Sequence, residues 1–163
     1  RQLNAGARAA RGGWLLFLHA DVRLAIEAQR ALVAAVQPTS GVGAAVFRFA
    51  IELPWVWKHF IELGQRAREV LWGLPYGDQG LLVRRELFEA VGGYAEIPVM
   101  EDVEIIRLLR RRTAIRRLPA TLLTSGRRYL QDGIVRTWLR HTALITLYCA
   151  GVSPYHLARR RHA

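Results

Sequence analysis

Polar and apolar positions along this chain change period several times, and each change predicts an element. Residues 1–11 place small side chains at helical spacing and stop at Gly12-Gly13, the mark of a helix ending. Residues 14–18, Trp-Leu-Leu-Phe-Leu, are an unbroken apolar run of strand length. A run without alternation suits a strand buried on both faces, as in a parallel sheet. It halts at His19-Ala20-Asp21, and residues 24–36 then read as an amphipathic helix followed by a loop over 37–41. Phe47, Phe49 and Ile51 alternate with Arg48 and Ala50, which predicts a half-exposed strand.

Residues 55–72 have helical spacing and end at Gly73-Leu74-Pro75. A turn over 76–80 leads to a short strand at 81–83, a short helix at 86–91 closed by Gly92-Gly93, and a helix over 100–112. Two short strands are expected at 115–118 and 121–124, then one long helix over 131–148, with Arg159-Arg160-Arg161 in a basic tail. Helix, buried strand, acidic residue at the strand end, helix: that order is α/β, with ligands gathered at the carboxyl ends of strands. With no internal repeat and no low-complexity linker, it reads as one domain with a C-terminal helical extension.

Composition narrows this picture without redirecting it. A hydrophobic share of 52% belongs to a globular chain, and 163 residues suffice for one core. Lys and Arg total 24 against 13 Asp and Glu, and every basic residue but Lys58 is Arg. A surplus of +11 favours phosphates, anionic lipid or nucleic acid as partners, although an Arg-rich codon usage explains part of it equally well. Cys149 is the only cysteine, which excludes an internal disulfide and fits a reducing compartment. The longest apolar run, 143–152, is far below the ~20 residues of a spanning helix. The first residue is Arg and residues 1–10 already read as the middle of a helix, so an N-terminally incomplete domain is the expectation.

Three constellations carry candidate chemistry, each with a plainer alternative. Asp21, set directly after a buried strand, can hold a hard divalent cation, with His19 as second ligand or phosphate donor; it can equally cap the next helix. In Met100-Glu101-Asp102-Val103-Glu104, Asp102 can act as a general base; the same acidic residues also suit the positive end of a helix dipole. Tyr76-Gly77-Asp78-Gln79-Gly80 offers Asp78 and Gln79 to a hydroxyl-rich ligand, or is an ordinary β-turn. Arg127 and Arg128, after Gly126, are placed to meet phosphates.

Taken in order, these segments resemble family 2 glycosyltransferases of the GT-A fold. Asn4-Ala5-Gly6 with Ala10-Arg11-Gly12 looks like the helix before the metal-motif strand, and His19-Ala20-Asp21 stands where those enzymes carry Asp-x-Asp. The Gly77-Asp78-Gln79-Gly80, Phe88-x-x-x-Gly92-Gly93-Tyr94 and Met100-Glu101-Asp102 segments follow in the family's order. The "HAD", "GDQG", "MED" set, with Ser125-Gly126-Arg127-Arg128-Tyr129 and Gly151-Val152-Ser153-Pro154, is similar to a bacterial subgroup whose genes often neighbour radical-SAM or selenium-related proteins.

The resemblance implies a GT-A, Rossmann-like mixed sheet flanked by helices that lacks its first βα units. The partial catalytic domain would span 1–128 and a C-terminal helical extension 129–163. It implies a hexosyltransferase-like enzyme transferring sugar from a nucleotide-sugar, with inversion, to a hydroxyl acceptor, free or lipid-linked. Asp102 would be the base with Glu101 beside it. Asn4, Asp78, Gln79, Arg127 and Arg128 would serve the donor, and Asp21 with His19 would hold Mn²⁺ or Mg²⁺. A cytoplasmic location at the inner membrane face goes with this reading, residues 131–148 either lying on anionic lipid or packing on the domain. The rival readings are a non-catalytic remnant and a basic nucleic-acid- or membrane-binding module. Nucleic acid is disfavoured by the absence of zinc-ligand spacing, RNP-like aromatics or a recognition helix.

Overall fold

A computed structural model of the protein describes residues 2–20, 22–72 and 79–161, with side chains at all of these except 66, 68–72, 128 and 160–161. The chain runs α1 (Gln2–Ala9), β1 (Trp14–Phe17), β2 (Val22–Arg23), α2 (Ile26–Ala35), a short 3₁₀ turn, β3 (Ala44–Glu52) and α3 (Trp55–Trp72). It continues through β4 (Leu81–Arg84), α4 (Arg85–Ala90), α5 (Glu101–Arg110), β5 (Ile115–Ser125), α6 (Arg127–Asp132), α7 (Ile134–Cys149) and α8 (Pro154–Arg161). This is a mixed α/β structure, and the five strands form one sheet in the order β1-β4-β3-β5-β2.

Only β3 and β5 pair in parallel; β1 with β4, β4 with β3, and β2 with β5 are antiparallel. Strands β1, β3 and β5 therefore point the same way, and their carboxyl ends share one edge of the sheet. Successive side chains of β3 go to opposite layers, as a pleated strand requires. Ala44 and Val46 join the core beneath α5 and α7 with Val103, Ile105 and Leu144, while Ala45 and Phe47 join the core beneath α2 with Ala28 and Ala31.

The structure corrects several sequence readings, each for a physical reason. The apolar run 14–18 is not a parallel strand buried on both faces. It is an antiparallel edge strand with Leu16 exposed, because it stands at the end of the sheet and has a neighbouring strand, β4, on one side only. The strand around 47–51 is longer and mostly buried, since its central position covers it with helices on both faces.

The two short strands at 115–118 and 121–124 are one strand. Between Val46 and Arg48 β3 advances two residues while its partners on β5, Arg117 and Thr121, are four apart. The irregularity absorbs Pro119, which has no N–H to give the ladder. The single helix at 131–148 is broken at Gly133, whose φ of +86° only glycine adopts at low cost. The arginine-rich tail is a helix, α8, seated by the fully buried Leu157. The two-residue strand Val22–Arg23 was not expected at all; it forms by pairing with Thr124 and Leu123.

Helices α7 and α8 contribute Leu144, Tyr148 and Leu157 to the core that lies beneath α5. Leu144, Ile145 and Tyr148 of α7 are buried, and Tyr148 donates a 2.6 Å hydrogen bond to Glu104 Oε2 of α5. Among the described residues no helix is long and apolar enough to cross a membrane.

Candidate active site

A cavity of about 350 Å³ opens at the carboxyl edge of the sheet, where β1 and β5 end. In an α/β sheet this edge collects ligands because strand ends and helix starts leave main-chain groups unpaired there. Its floor is apolar, from Phe17, Leu81, Ile105 and Leu144, and its polar rim comes from five separate segments. His19 enters just after β1, Glu101 and Asp102 from the first turn of α5, Thr124 and Ser125 from the end of β5, Tyr129 from α6 and His141 from α7.

The acidic pair sits on an unusual helix start. Met100, the residue before α5, has φ +68° and ψ +19° and is the one non-glycine in the left-handed region among the described residues. That conformation costs an L-residue roughly 1–2 kcal/mol, and such strain concentrates at functional sites. Here the half-buried Met100 side chain packs against the core, and Glu101 and Asp102 are presented together at the cavity wall. No side chain caps the helix from Met100; Asp102 Oδ1 instead accepts the Val103 N–H at 2.8 Å, which fixes the orientation of the carboxylate. Three acidic residues in this first turn, Glu101, Asp102 and Glu104, also face the positive end of the helix dipole.

Tyr94 lines the same cavity and feels the charge of the pair. Burial first, then the negative charges of Asp102 and Glu101, hold its phenol above the ordinary tyrosine value, so it remains an O–H donor throughout the physiological range. Its ring packs edge-on against Phe17 with centroids 5.0 Å apart. Asn4 grips the Tyr94 backbone from α1: Asn4 Nδ2 donates to the Tyr94 carbonyl at 2.8 Å, and the Tyr94 N–H donates to Asn4 Oδ1 at 3.0 Å.

The structure thus brings together His19, Glu101 and Asp102 of the residues singled out from sequence. Asn4 braces the site through Tyr94, and it is Leu3 of the same helix that lines the cavity. Gln79 is buried beside Gly80 and does not line the cavity; its Oε1 has no hydrogen-bond partner among the described residues. Arg127 is exposed at the first turn of α6, away from the cavity wall. Asp21, Asp78 and the side chain of Arg128 lie outside the described residues. Among the described residues no three His, Cys, Asp or Glu side chains converge as a metal site, so half of the ligand pair implied by the resemblance, His19, is placed and Asp21 is not.

Two polar cavity residues, Thr124 and His141, escaped the sequence reading. Thr124, whose buried Oγ1 has no partner among the described residues, and Ser125 end a strand whose polar residues look like surface positions. Tyr129 and His141 meet across the α6–α7 break with Tyr129 Oη 3.4 Å from His141 Nδ1. The Ser125–Tyr129 segment carried some signal; His141, isolated on an amphipathic helix, carried none. No protein-family model, curated protein or solved structure matches the chain. The fold and site define a mixed α/β protein with an acidic pair in a cavity at the carboxyl edge of its sheet.

Proposed function

We propose that the chain forms part of the catalytic domain of an inverting family 2 glycosyltransferase of GT-A type, moving a sugar from a nucleotide-sugar to a hydroxyl acceptor. The observation that carries this reading is the pair Glu101–Asp102, held at a strained helix start and facing a cavity that His19 enters from the end of β1. Cavity size supports it, since about 350 Å³ matches a small polyol or sugar better than a macromolecular groove. The mixture of an apolar floor with Thr124, Ser125, Tyr129 and His141 at the rim suits a ligand that has both ring faces and hydroxyls.

In this mechanism Asp102 takes the proton of the acceptor hydroxyl as its oxygen attacks the anomeric carbon. The bond from that carbon to the diphosphate oxygen breaks on the opposite face, so the configuration inverts. Glu101 and the Tyr94 hydroxyl orient the acceptor, and the Val103 amide keeps Asp102 aimed. A divalent cation at Asp21 with His19 would supply charge neutralisation for the departing nucleoside diphosphate.

The test is transfer from UDP- and GDP-sugars by the protein and by Asp102→Asn. Asparagine keeps an oxygen for the Val103 N–H, so the fold is preserved while the base is removed. A fall in kcat of roughly 10²–10⁴ with little change in donor KM is expected. Near-normal turnover in the variant would remove Asp102 from the base role.

A further inference from the structure

The most conspicuous surface feature is an apolar face that no other element among the described residues covers. On α3, Trp55, Val56 and Leu63 are 73%, 64% and 69% exposed, and Phe60 joins them. Helical spacing places these four on one arc, whereas Ile61 and Gln65 turn inward and Lys58 and Glu62 are half-buried on the flanks. The arc continues onto the neighbouring helices. Phe60 packs on Trp138 of α7 with ring centroids 4.9 Å apart, and Gly64 lies so close to Trp138 that a Cβ would fall 2.7 Å from its Nε1. Beside this contact, exposed Leu130 of α6 and Val135 and Leu139 of α7 extend the apolar surface across a groove shared with Trp57.

Basic residues border this face. Arg136 lines the groove itself, and Arg136 and Arg140, one helical turn apart, stand beside the Val135–Leu139 row. Residues 127–149 hold four arginines against one acidic residue, Asp132. Exposed tryptophan and aliphatic side chains flanked by arginines match the layered chemistry of a lipid interface: acyl boundary, then glycerol backbone, then anionic headgroups. No described helix can cross a bilayer, so the contact would lie in the plane of the interface.

We infer that the face formed by α3, α6 and the first turns of α7 docks on the surface of an anionic phospholipid bilayer. The surface differs from the apolar side of residues 144–148, which the core occupies. It adjoins the candidate active site, because Tyr129 lines both the surface groove and the cavity. The inference rests on this surface alone and is independent of the reaction proposed for the cavity.

The test is flotation of the protein with vesicles of phosphatidylcholine alone and with 30% phosphatidylglycerol (roughly a typical anionic content), at about 0.1 M and 0.5 M salt. The expected result is binding at least about tenfold stronger to the anionic vesicles, weakened at the higher salt. The double variant Trp55→Ser/Leu63→Ser should lose at least about tenfold, and Arg136→Gln/Arg140→Gln should fall to the phosphatidylcholine level. Ile26→Ser/Val33→Ser removes two residues of α2 that are nearly as exposed, 62% and 60%, on another element, and should bind like the unaltered protein. Absence of flotation, or equal losses in the α3 and α2 variants, would overturn the inference. So would a dimer in solution that does not float and that Trp55→Ser/Leu63→Ser dissociates, which would assign the face to a second copy of the chain.

Discussion

Replacing Arg85 with alanine removes three hydrogen bonds from the end of one helix at once. The guanidinium of Arg85, at the start of α4, reaches back to the C-terminal end of α1: Nε donates to the Gly12 carbonyl at 2.8 Å, one terminal nitrogen to Ala7 at 3.1 Å and the other to Ala10 at 2.7 Å. These carbonyls have no helical partner and sit at the negative end of the dipole, so a forked cation is well suited to them. A charged hydrogen bond is worth about 1.5–3 kcal/mol where water is excluded. Here Ala10 and Gly12 are exposed and water replaces much of what is lost, so about 0.5–1 kcal/mol each, or about 2 kcal/mol in total, is the expected cost. For a chain of this length that is a fall in Tm of about 4–8 °C. Urea unfolding followed by circular dichroism measures it, and hydrogen exchange should show α1 amides opening first. Arg85→Lys restores the charge without the fork and should recover less than half. A loss below about 0.5 kcal/mol, with unchanged exchange in α1, would refute the idea that Arg85 anchors this helix.

Gly126 leaves no room for a side chain, because a Cβ there would collide with the main-chain carbonyl of Glu52; Gly126→Ala should cost about 3 kcal/mol or more by denaturant unfolding. At Met100 the left-handed backbone should make Met100→Gly more stable than Met100→Ala by about 1 kcal/mol, the reverse of the order in ordinary helix positions, as thermal unfolding of the pair would show. Burial, then its hydrogen bond to Glu104 and the charge of that carboxylate, push the Tyr148 phenol up to about 12, with Arg107 opposing. The folded state therefore holds this proton more tightly than the unfolded chain. Its contribution is fully present below pH 10 and is lost as pH rises from about 10 to about 12. Tyr148→Phe should flatten that part of the stability profile, and an unchanged profile would contradict the assignment.

Element identity was legible wherever a long period dominated. The α3 and α5 helices and the β4 strand lie close to where their spacing predicts, because local pattern and tertiary burial agree there. Elsewhere sheet context decided. Trp14–Phe17 has the composition of a central strand, yet its neighbours leave it at the edge, which no local pattern encodes. The two short strands expected at 115–118 and 121–124 leave Pro119 between them, and only the parallel pairing with β3 shows that a bulge can house it. Gly133 was present in the sequence, but a lone glycine in a helical pattern is compatible with an unbroken helix.

Within the site, His19 and the Glu101–Asp102 pair were legible because each stands at an element boundary, where a charged side chain is costly without a task or a cap. Thr124 and His141 were not, since β5 and α7 bring them to one cavity only in the folded chain. Asn4 was legible as important and not in its role: its amide is taken up by the Tyr94 backbone.

The most direct test of the proposed activity is thermal unfolding of the protein with UDP or GDP, each with and without Mn²⁺, alongside Asp21→Ala. A nucleotide at about one hundred times its Kd contributes about 2.7 kcal/mol, which corresponds here to a rise of roughly 5–10 °C. A nucleotide-sugar site should give a rise of that order for one of the two nucleotides, dependent on the metal and absent in Asp21→Ala. An unchanged Tm with both nucleotides, with and without Mn²⁺, would contradict a nucleotide-sugar site in this fold.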